Sequence, residues 1–224
     1  MKHSGKIKSK EIISIALSKG RLFEEVLKLF QRVNVELIDS KLGSRKLVLQ
    51  DREGKFQFFL LKPVDVPTYV EYGVADVGIA GRDVLLESKA DIHRPLDLKI
   101  GQCSMVVAGI RGTAKEDYRE LSAVRIATKY PRITTEYFTQ RGVPVEIIYL
   151  SGSVELAPVL GLAERIVDLV STGQTLADNG LQIIEKICDI SACLVVNRAS
   201  YQIKHRAITR LIKLLEKSSP IIKS

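Results

Sequence analysis

The stretch "DLVSTGQTLADNGL", residues 168–181, follows the apolar run "RIV" and leads into "LQIIEKI", whose apolar residues recur at roughly helical spacing. The hydroxyls of Ser171, Thr172 and Thr175 and free backbone N–H groups are donors that suit an anion at the positive end of a helix. The same residues also fit a plain βα turn, with Gly173 supplying a permissive backbone and Thr175 capping the helix. Two other stretches carry related chemistry. In "ALSKGRL", Lys19 and Arg21 flank Gly20 just before an amphipathic segment, so an anion would meet two cations and a helix N-terminus; a solvated basic turn is the alternative. In "YLSGSVELAP", Gly152 and Ser153 precede Glu155 in the first turn of a helix, where an acid suits the helix dipole or accepts hydrogen bonds from sugar hydroxyls.

Together these residue types suit a sugar phosphate. Carboxylates such as Glu155 and Asp168 hold vicinal ribose hydroxyls, while the "STGQT" loop holds a 5′-phosphate. Arg21, and Arg45 in "GSRKL", would then face a departing pyrophosphate, and stabilising that leaving group is how such a transfer is driven. The net charge of +8 suits polyanionic ligands. Part of it lies in the tails "MKHSGKIKSK" and "KHRAITRLIK", and there is no tryptophan and little aromatic interleaving near them, which favours small phosphates over single-stranded nucleic acid.

Cys103, Cys188 and Cys193 are an odd set without C-x-x-C spacing, as expected of buried free thiols in a reducing compartment. His3, His93 and His205 have no partner at metal-ligand spacing and read as solvated or structural. No apolar run approaches the roughly 18 residues of a membrane-spanning helix. The segment "IISIAL" is short for a secretory signal core and "SKGR" follows it, so a cytoplasmic location is expected.

The elements that must position these residues alternate along the chain, which predicts an α/β fold. "EIISIAL" reads as a buried strand and "RLFEEVLKLFQRV" as an amphipathic helix. "RKLVLQD" and "FQFFLLKP" read as a hairpin around "REGK", followed by the short helix "DVPTYVEYG", the strand "ADVGIAG" and the helix "RDVLLESK". From "GQCSMVVAGI" the alternation restarts, with strands "VRIATKY", "VEIIYL" and "RIVDLV" and helices "ITTEYFTQRG", "SVELAPVLGLA" and "TLADNGLQIIEKI". Strand "ACLVVNR" and helix "YQIKHRAITRLIKLLEKS" follow. The expected arrangement is two lobes with mixed sheets and the active site in the cleft between them. Lobe I comprises residues 1–101 plus 192–224, with a basic tail over 1–10, and lobe II residues 102–191.

"IALSKGRLFEEV", "DVPTYVEYGVADVGIAGRDVLLE", "RIATKYPRIT", "GSVELAPVLGLAERIVDLVSTGQTLADNGL" and "CDISACLVVN" together resemble ATP phosphoribosyltransferase, over a span from about Ile12 to the last helix. The resemblance implies a fold like that of periplasmic binding proteins. It also implies transfer of the phosphoribosyl group of 5-phosphoribosyl 1-pyrophosphate to N1 of ATP, releasing pyrophosphate, the step that opens histidine biosynthesis; Mg2+ accompanies the substrate and the protein supplies no metal ligands. On this resemblance Ser171, Thr172, Gly173, Gln174 and Thr175 form the 5′-phosphate loop, and Asp168 and Glu155 take the ribose hydroxyls. Lys19, Arg21 and Arg45 lie on the ATP and pyrophosphate side, with Arg21 and Arg45 catalytic. No residue is an obvious general base, and adenine N1 needs none. Ser151 and Arg82 depart from commoner family residues.

The length resembles that of the short form, which lacks a C-terminal regulatory domain. That form works with a regulatory subunit resembling histidyl-tRNA synthetase, so a hetero-octamer is expected, with a homodimer for the catalytic subunit alone. The competing reading is a two-lobed small-ligand binding module without catalysis, since fold does not fix function.

Overall fold

A computed structural model describes residues 12–38, 46–112 and 123–219. In chain order the elements begin with β1 (Ile13–Ser18), α1 (Arg21–Arg32), β2 (Val48–Gln50), β3 (Phe56–Leu61), α2 (Val66–Glu71), β4 (Val77–Gly81), α3 (Arg82–Ser88) and β5 (His93–Asp97). There follow β6 (Cys103–Ile110), β7 (Val124–Thr128), α4 (Pro131–Thr139), β8 (Val145–Tyr149), α5 (Leu156–Val159), β9 (Arg165–Val170) and α6 (Gln174–Asp178). The last are β10 (Leu181–Ile190), β11 (Ala192–Val196), α7 (Arg198–Ile203) and α8 (His205–Ser218). The chain divides into two units: unit 1 holds Met1–Val84, Ala90–Gly101 and Ala192–Ser224, and unit 2 holds Leu85–Lys89 and Gln102–Ser191. Leu85–Lys89, which the sequence reading put in lobe I, thus groups with unit 2.

Unit 1 is built on a six-stranded sheet of order β2-β3-β1-β4-β11-β5. β1 lies inside the sheet, parallel to both β3 and β4, and consecutive residues along it are buried, so both its faces are covered, which explains the nearly unbroken apolar run "ISIALS". β2 and β3 form the expected hairpin. β5 was not recognised in the sequence; it is an edge strand, where Pro95 removes no ladder hydrogen bond that the sheet needs. Val26, Leu29 and Phe30 of α1 and Ile208, Leu211 and Leu215 of α8 pack with Ile15, Leu17, Ile79 and Leu194 in one core. Phe30 meets Phe58 edge-on at 5.3 Å.

A buried carboxylate ties the start of this sheet to the C-terminal helices. Asp76 accepts hydrogen bonds from the Ser14 amide and hydroxyl (both 2.9 Å), the Ser200 hydroxyl (2.7 Å) and the Lys204 ammonium (2.7 Å). Burial acts to raise its pKa. The bonds from Lys204, Ser14 and Ser200 outweigh burial and hold the carboxyl below its ordinary value. Asn197 caps α7 by accepting from the Ser200 amide at 2.9 Å and donates to the Val70 and Glu71 carbonyls at the end of α2.

Unit 2 holds a five-stranded sheet of order β10-β6-β9-β7-β8, in which β7, β8 and β9 are parallel and β6 and β10 antiparallel. The Glu87 carboxylate accepts from the Arg132 and Ile133 amides at 2.9 and 3.0 Å, satisfying the first turn of α4. This explains why the second half of α3 groups with unit 2.

The segment "LQIIEKI", read as the continuation of a helix, is instead the first part of β10. Leu181, Ile184, Ile187 and Ile190 recur every third residue, which imitates a helical face. The cause is two irregularities in the pairing with β6, between Ile183 and Glu185 and between Lys186 and Cys188. Each bulge inserts one residue and resets the two-residue alternation of the strand. The helix before it is correspondingly only α6, and α5 is shorter than "SVELAPVLGLA" suggests. Cys103, Cys188 and Cys193 are all half-buried. No helix among the described residues is long and apolar enough to cross a membrane.

Candidate active site

In each unit the candidate residues stand where parallel strands end, the usual ligand-binding edge of open α/β sheets. In unit 1 that edge is formed by β3, β1 and β4. The Lys19 amide donates to the Leu61 carbonyl at 2.9 Å, which sets Lys19 beside the exit of β3. Gly20 follows with φ 100° and ψ −154°, a conformation that is essentially restricted to glycine. This bend lets the chain enter α1 at once, with Arg21 as the first helical residue and the positive end of a 12-residue helix beside it.

The adjacent strand exits supply two cations that the site assignment from sequence did not include. Lys62 follows β3 directly and Arg82 follows β4, and both are exposed. The register pairs Ser18 with Leu61 and Leu17 with Ile79, so Lys19, Lys62 and Arg82 leave the sheet at neighbouring points. Glu24, Asp65 and Asp83 are the acids in the first turns of the same exits. Arg45 lies outside the described residues.

In unit 2 the edge is formed by β8, β7 and β9. Thr128 anchors the middle exit: its hydroxyl donates to the Val167 carbonyl at 2.8 Å and accepts from the Tyr130 amide at 2.9 Å. That bond fixes β9 one residue before Asp168, which is half-buried near the strand's end and pairs in register with Val106. Ser171, Thr172 and Gly173 form the turn beyond β9, and α6 starts at Gln174. Gly173 has φ 80° and ψ 0°, left-handed geometry at the N-cap, and no side chain caps the helix. Thr175 therefore lies inside α6 rather than at its cap.

The turn is held locally by the Gln174 amide donating to the Thr172 hydroxyl at 3.4 Å and by the Gln174 side chain donating to Asp178 at 2.6 Å. The Ala177 amide reaches back to the Gly173 carbonyl at 3.1 Å, leaving the amides before it in the helix without an i−4 acceptor. Glu155 occupies the N-cap position of α5 beyond the exit of β8, after Ser153 in a left-handed conformation with φ 49°. Because β7 lies between β8 and β9, the strands leading to Glu155 and bearing Asp168 are two strand spacings apart, about 10 Å. Lys129, exposed at the intervening exit of β7, was not among the candidates. Its only advance signal was its place after a strand, "RIAT", whose neighbours the sequence does not disclose.

The chain matches the family described as "HisG: ATP phosphoribosyltransferase" over residues 62–217. It is 50% identical over 208 residues to the ATP phosphoribosyltransferase of Geobacter metallireducens, covering 92% of this chain and 98% of that protein. The Acidithiobacillus ferrooxidans ATP phosphoribosyltransferase is 52% identical over 206 residues, with 91% and 96% covered. Among solved structures, the ATP phosphoribosyl transferase (HisG:HisZ) complex from Thermotoga maritima aligns with TM-score 0.79 at 36% identity, over 92% of this chain and 98% of that one. The periplasmic aliphatic sulphonate binding protein SsuA from Escherichia coli aligns with TM-score 0.60 at 13% identity, a likeness of fold alone. Shared sequence over nine-tenths of the chain, together with the α/β architecture it folds into, shows that the chain belongs to the HisG family of ATP phosphoribosyltransferases.

Proposed function

We propose that this protein is the catalytic subunit of a short-form ATP phosphoribosyltransferase. It joins C1 of 5-phosphoribosyl 1-pyrophosphate to N1 of ATP: the N1 lone pair forms the new C1–N bond as the C1–O bond breaks and pyrophosphate departs with its electrons. This is the first committed chemistry of histidine biosynthesis. Membership of the family carries the reading, and the strand-end geometry of the two units supports the assignment of roles.

In unit 2, Ser171 to Thr175 hold the 5′-phosphate through hydroxyls and the amides at the start of α6, while Asp168 and Glu155 take ribose hydroxyls. In unit 1, Lys19 and Arg21, with Arg45, bind ATP and the departing pyrophosphate. Lys62 and Arg82 add positive potential at that edge. The chemistry needs no protein base, because adenine N1 is already an available lone pair; positioning and stabilisation of leaving-group charge supply the rate enhancement. Mg2+ would accompany the polyphosphate substrates and supply positive charge against theirs. Among the described residues no group of three or more His, Cys, Asp and Glu side chains is arranged to hold an ion.

The short-form reading is supported by coverage of 98% of the matched chain from the HisG:HisZ complex. We extend it to association with a histidyl-tRNA-synthetase-like regulatory subunit in a hetero-octamer, through which histidine exerts feedback, in the cytoplasm. The deciding experiment is an absorbance assay for N1-phosphoribosyl-ATP with ATP, the phosphoribosyl donor and Mg2+, with and without the regulatory subunit and histidine. Product that requires both substrates supports the reading; no product under any of these conditions returns a non-catalytic binding module.

A further inference from the structure

Lys129 has no role in the assignments above, yet the strand order sets it in the middle of the binding edge of unit 2. β7 lies between β8 and β9, and the register pairs Thr128 with Tyr149 on one side and with Val167 on the other. Continuing that register by one residue sets Lys129 level with Leu150 and with Asp168, each about 5 Å away across one strand spacing. Hydrogen bonds fix the backbone on both sides of it. The Thr128 carbonyl accepts from the Leu150 amide at 3.0 Å, while the Thr128 hydroxyl donates to the Val167 carbonyl at 2.8 Å and accepts from the Tyr130 amide at 2.9 Å. Thr128 and Tyr130 are buried and Lys129 is exposed, so its side chain leaves the core at the open end of the strands.

The charges at this edge give that lysine a consequence. The segments that leave the three strands, residues 129–130, 149–155 and 168–175, carry two acids, Asp168 and Glu155, and a single Lys or Arg, which is Lys129. A polyanionic donor drawn toward the two carboxylates is repelled by both, and an ammonium between them offsets the repulsion. Ser171 to Thr175 lie three residues or more beyond the level of Lys129, which is therefore beside the hydroxyl-binding acids rather than in the 5′-phosphate cradle. On the donor, C1 adjoins the vicinal hydroxyls and carries the pyrophosphate on the same face of the ring. Until the C1–O bond breaks, that group stays attached to the ribose that unit 2 holds.

Resting on the function proposed above, we infer that Lys129 is a further catalytic residue, whose ammonium donates hydrogen bonds to the pyrophosphate oxygens next to C1. As the C1–O bond breaks, its electron pair stays on the departing oxygen, and the ammonium stabilises that growing charge without giving up a proton. The same cation aimed at the ring would oppose the positive charge that develops at C1, so its benefit depends on facing the leaving oxygens.

The test is the rate of N1-phosphoribosyl-ATP formation, with the regulatory subunit present, by the unaltered chain, Lys129→Met and Lys129→Arg. Pyrophosphate and ribose 5-phosphate serve as inhibitors competing with the donor, and urea midpoints verify that both variants fold. In Lys129→Met, kcat/KM for the donor should fall roughly a hundredfold and inhibition by pyrophosphate should weaken about tenfold. Inhibition by ribose 5-phosphate, which lacks the leaving group, should stay within about twofold, and Lys129→Arg should recover most of the loss. Equal weakening of both inhibitors would make Lys129 a support for Asp168 and overturn the leaving-group contact. Unchanged constants for donor and pyrophosphate would also overturn it and leave the proposed function standing. No product from the unaltered enzyme overturns the function reading, and this assignment with it, before either variant is compared.

Discussion

Gly173 and Gly20 are both at positive φ, but in different regions, and the difference predicts how each tolerates a side chain. Gly173, at φ 80° and ψ 0°, is near the left-handed helical region, which costs an ordinary L-residue about 1–2 kcal/mol and asparagine less. Gly20, at φ 100° and ψ −154°, occupies a region that is essentially glycine-only, at about 1–3 kcal/mol. Neither cost comes from crowding. A Cβ at Gly20 would meet nothing within 4 Å, and one at Gly173 only Val170 Cγ1 at 3.8 Å. Loss of glycine's unfolded-state freedom returns about 0.4–1 kcal/mol in either case. Gly173→Ala should therefore cost about 0.8 kcal/mol and Gly173→Asn a few tenths or less, whereas Gly20→Ala and Gly20→Asn should both cost about 1.3 kcal/mol.

Urea denaturation measures these costs, and saturation kinetics show where the strain is relieved. If the chain relaxes rather than bearing the strain, the N–H groups after residue 173 turn away. The KM for the phosphoribosyl donor then rises in Gly173→Ala and recovers in Gly173→Asn. Gly20→Ala instead impairs ATP use. Equal damage from Ala and Asn at Gly173, or rescue of Gly20 by Asn, would refute the backbone argument; a normal donor KM in a Gly173→Ala whose unchanged urea midpoint shows that the chain has relaxed would detach the loop from the 5′-phosphate.

Three further tests address the remaining groups. Thr172→Asp, which sets a carboxylate against the donor's phosphate, should raise the donor KM at least about tenfold with little change in the KM for ATP; ordinary saturation with donor sinks the cradle assignment. Arg45→Ala should lower kcat roughly ten- to a thousandfold while ATP binding weakens less, as for a preorganised contact to leaving-group charge; unchanged turnover removes Arg45 from the site. Asp76→Asn should cost about 3 kcal/mol at neutral pH, the lower end for breaking a buried ion pair, because Lys204 keeps partial access to solvent. Since the folded-state pKa of Asp76 is depressed, its contribution is complete above the unfolded value near 4 and falls away as pH drops through the folded value. Urea midpoints should decline more steeply below about pH 4 in the wild type than in Asp76→Asn, and parallel curves would contradict the linkage.

Much of the architecture could be read in advance because local patterns were clean. "ISIALS" and "RIVDLV" are apolar runs of strand length, and the α1 stretch has a single apolar face. β10 failed because bulges at two points turned a strand's alternation into a period of three. β5 failed because "HRPLD" has neither alternation nor a Val- or Ile-rich core, being held at the sheet edge by pairing with β11. At the site, Lys19, Arg21 and the "STGQT" loop were visible because residue type and spacing coincide within a few positions.

The amino-acid sequence by itself determined which chemical groups this protein carries, where its parallel strands end, and which family its ordered motifs belong to. Those properties are local, or repeat along the chain, and survive without knowledge of neighbours. Tertiary structure alone decided which strand ends adjoin. The order β3-β1-β4 brings Lys62 and Arg82 to either side of Lys19, and the order β8-β7-β9 places Lys129 between the Glu155 and Ser171 exits. It also bent Gly20 into a conformation that no side chain shares readily. Strand pairing and helix docking join residues distant in sequence through burial and backbone hydrogen bonds, and that coupling has no period along the chain to betray it.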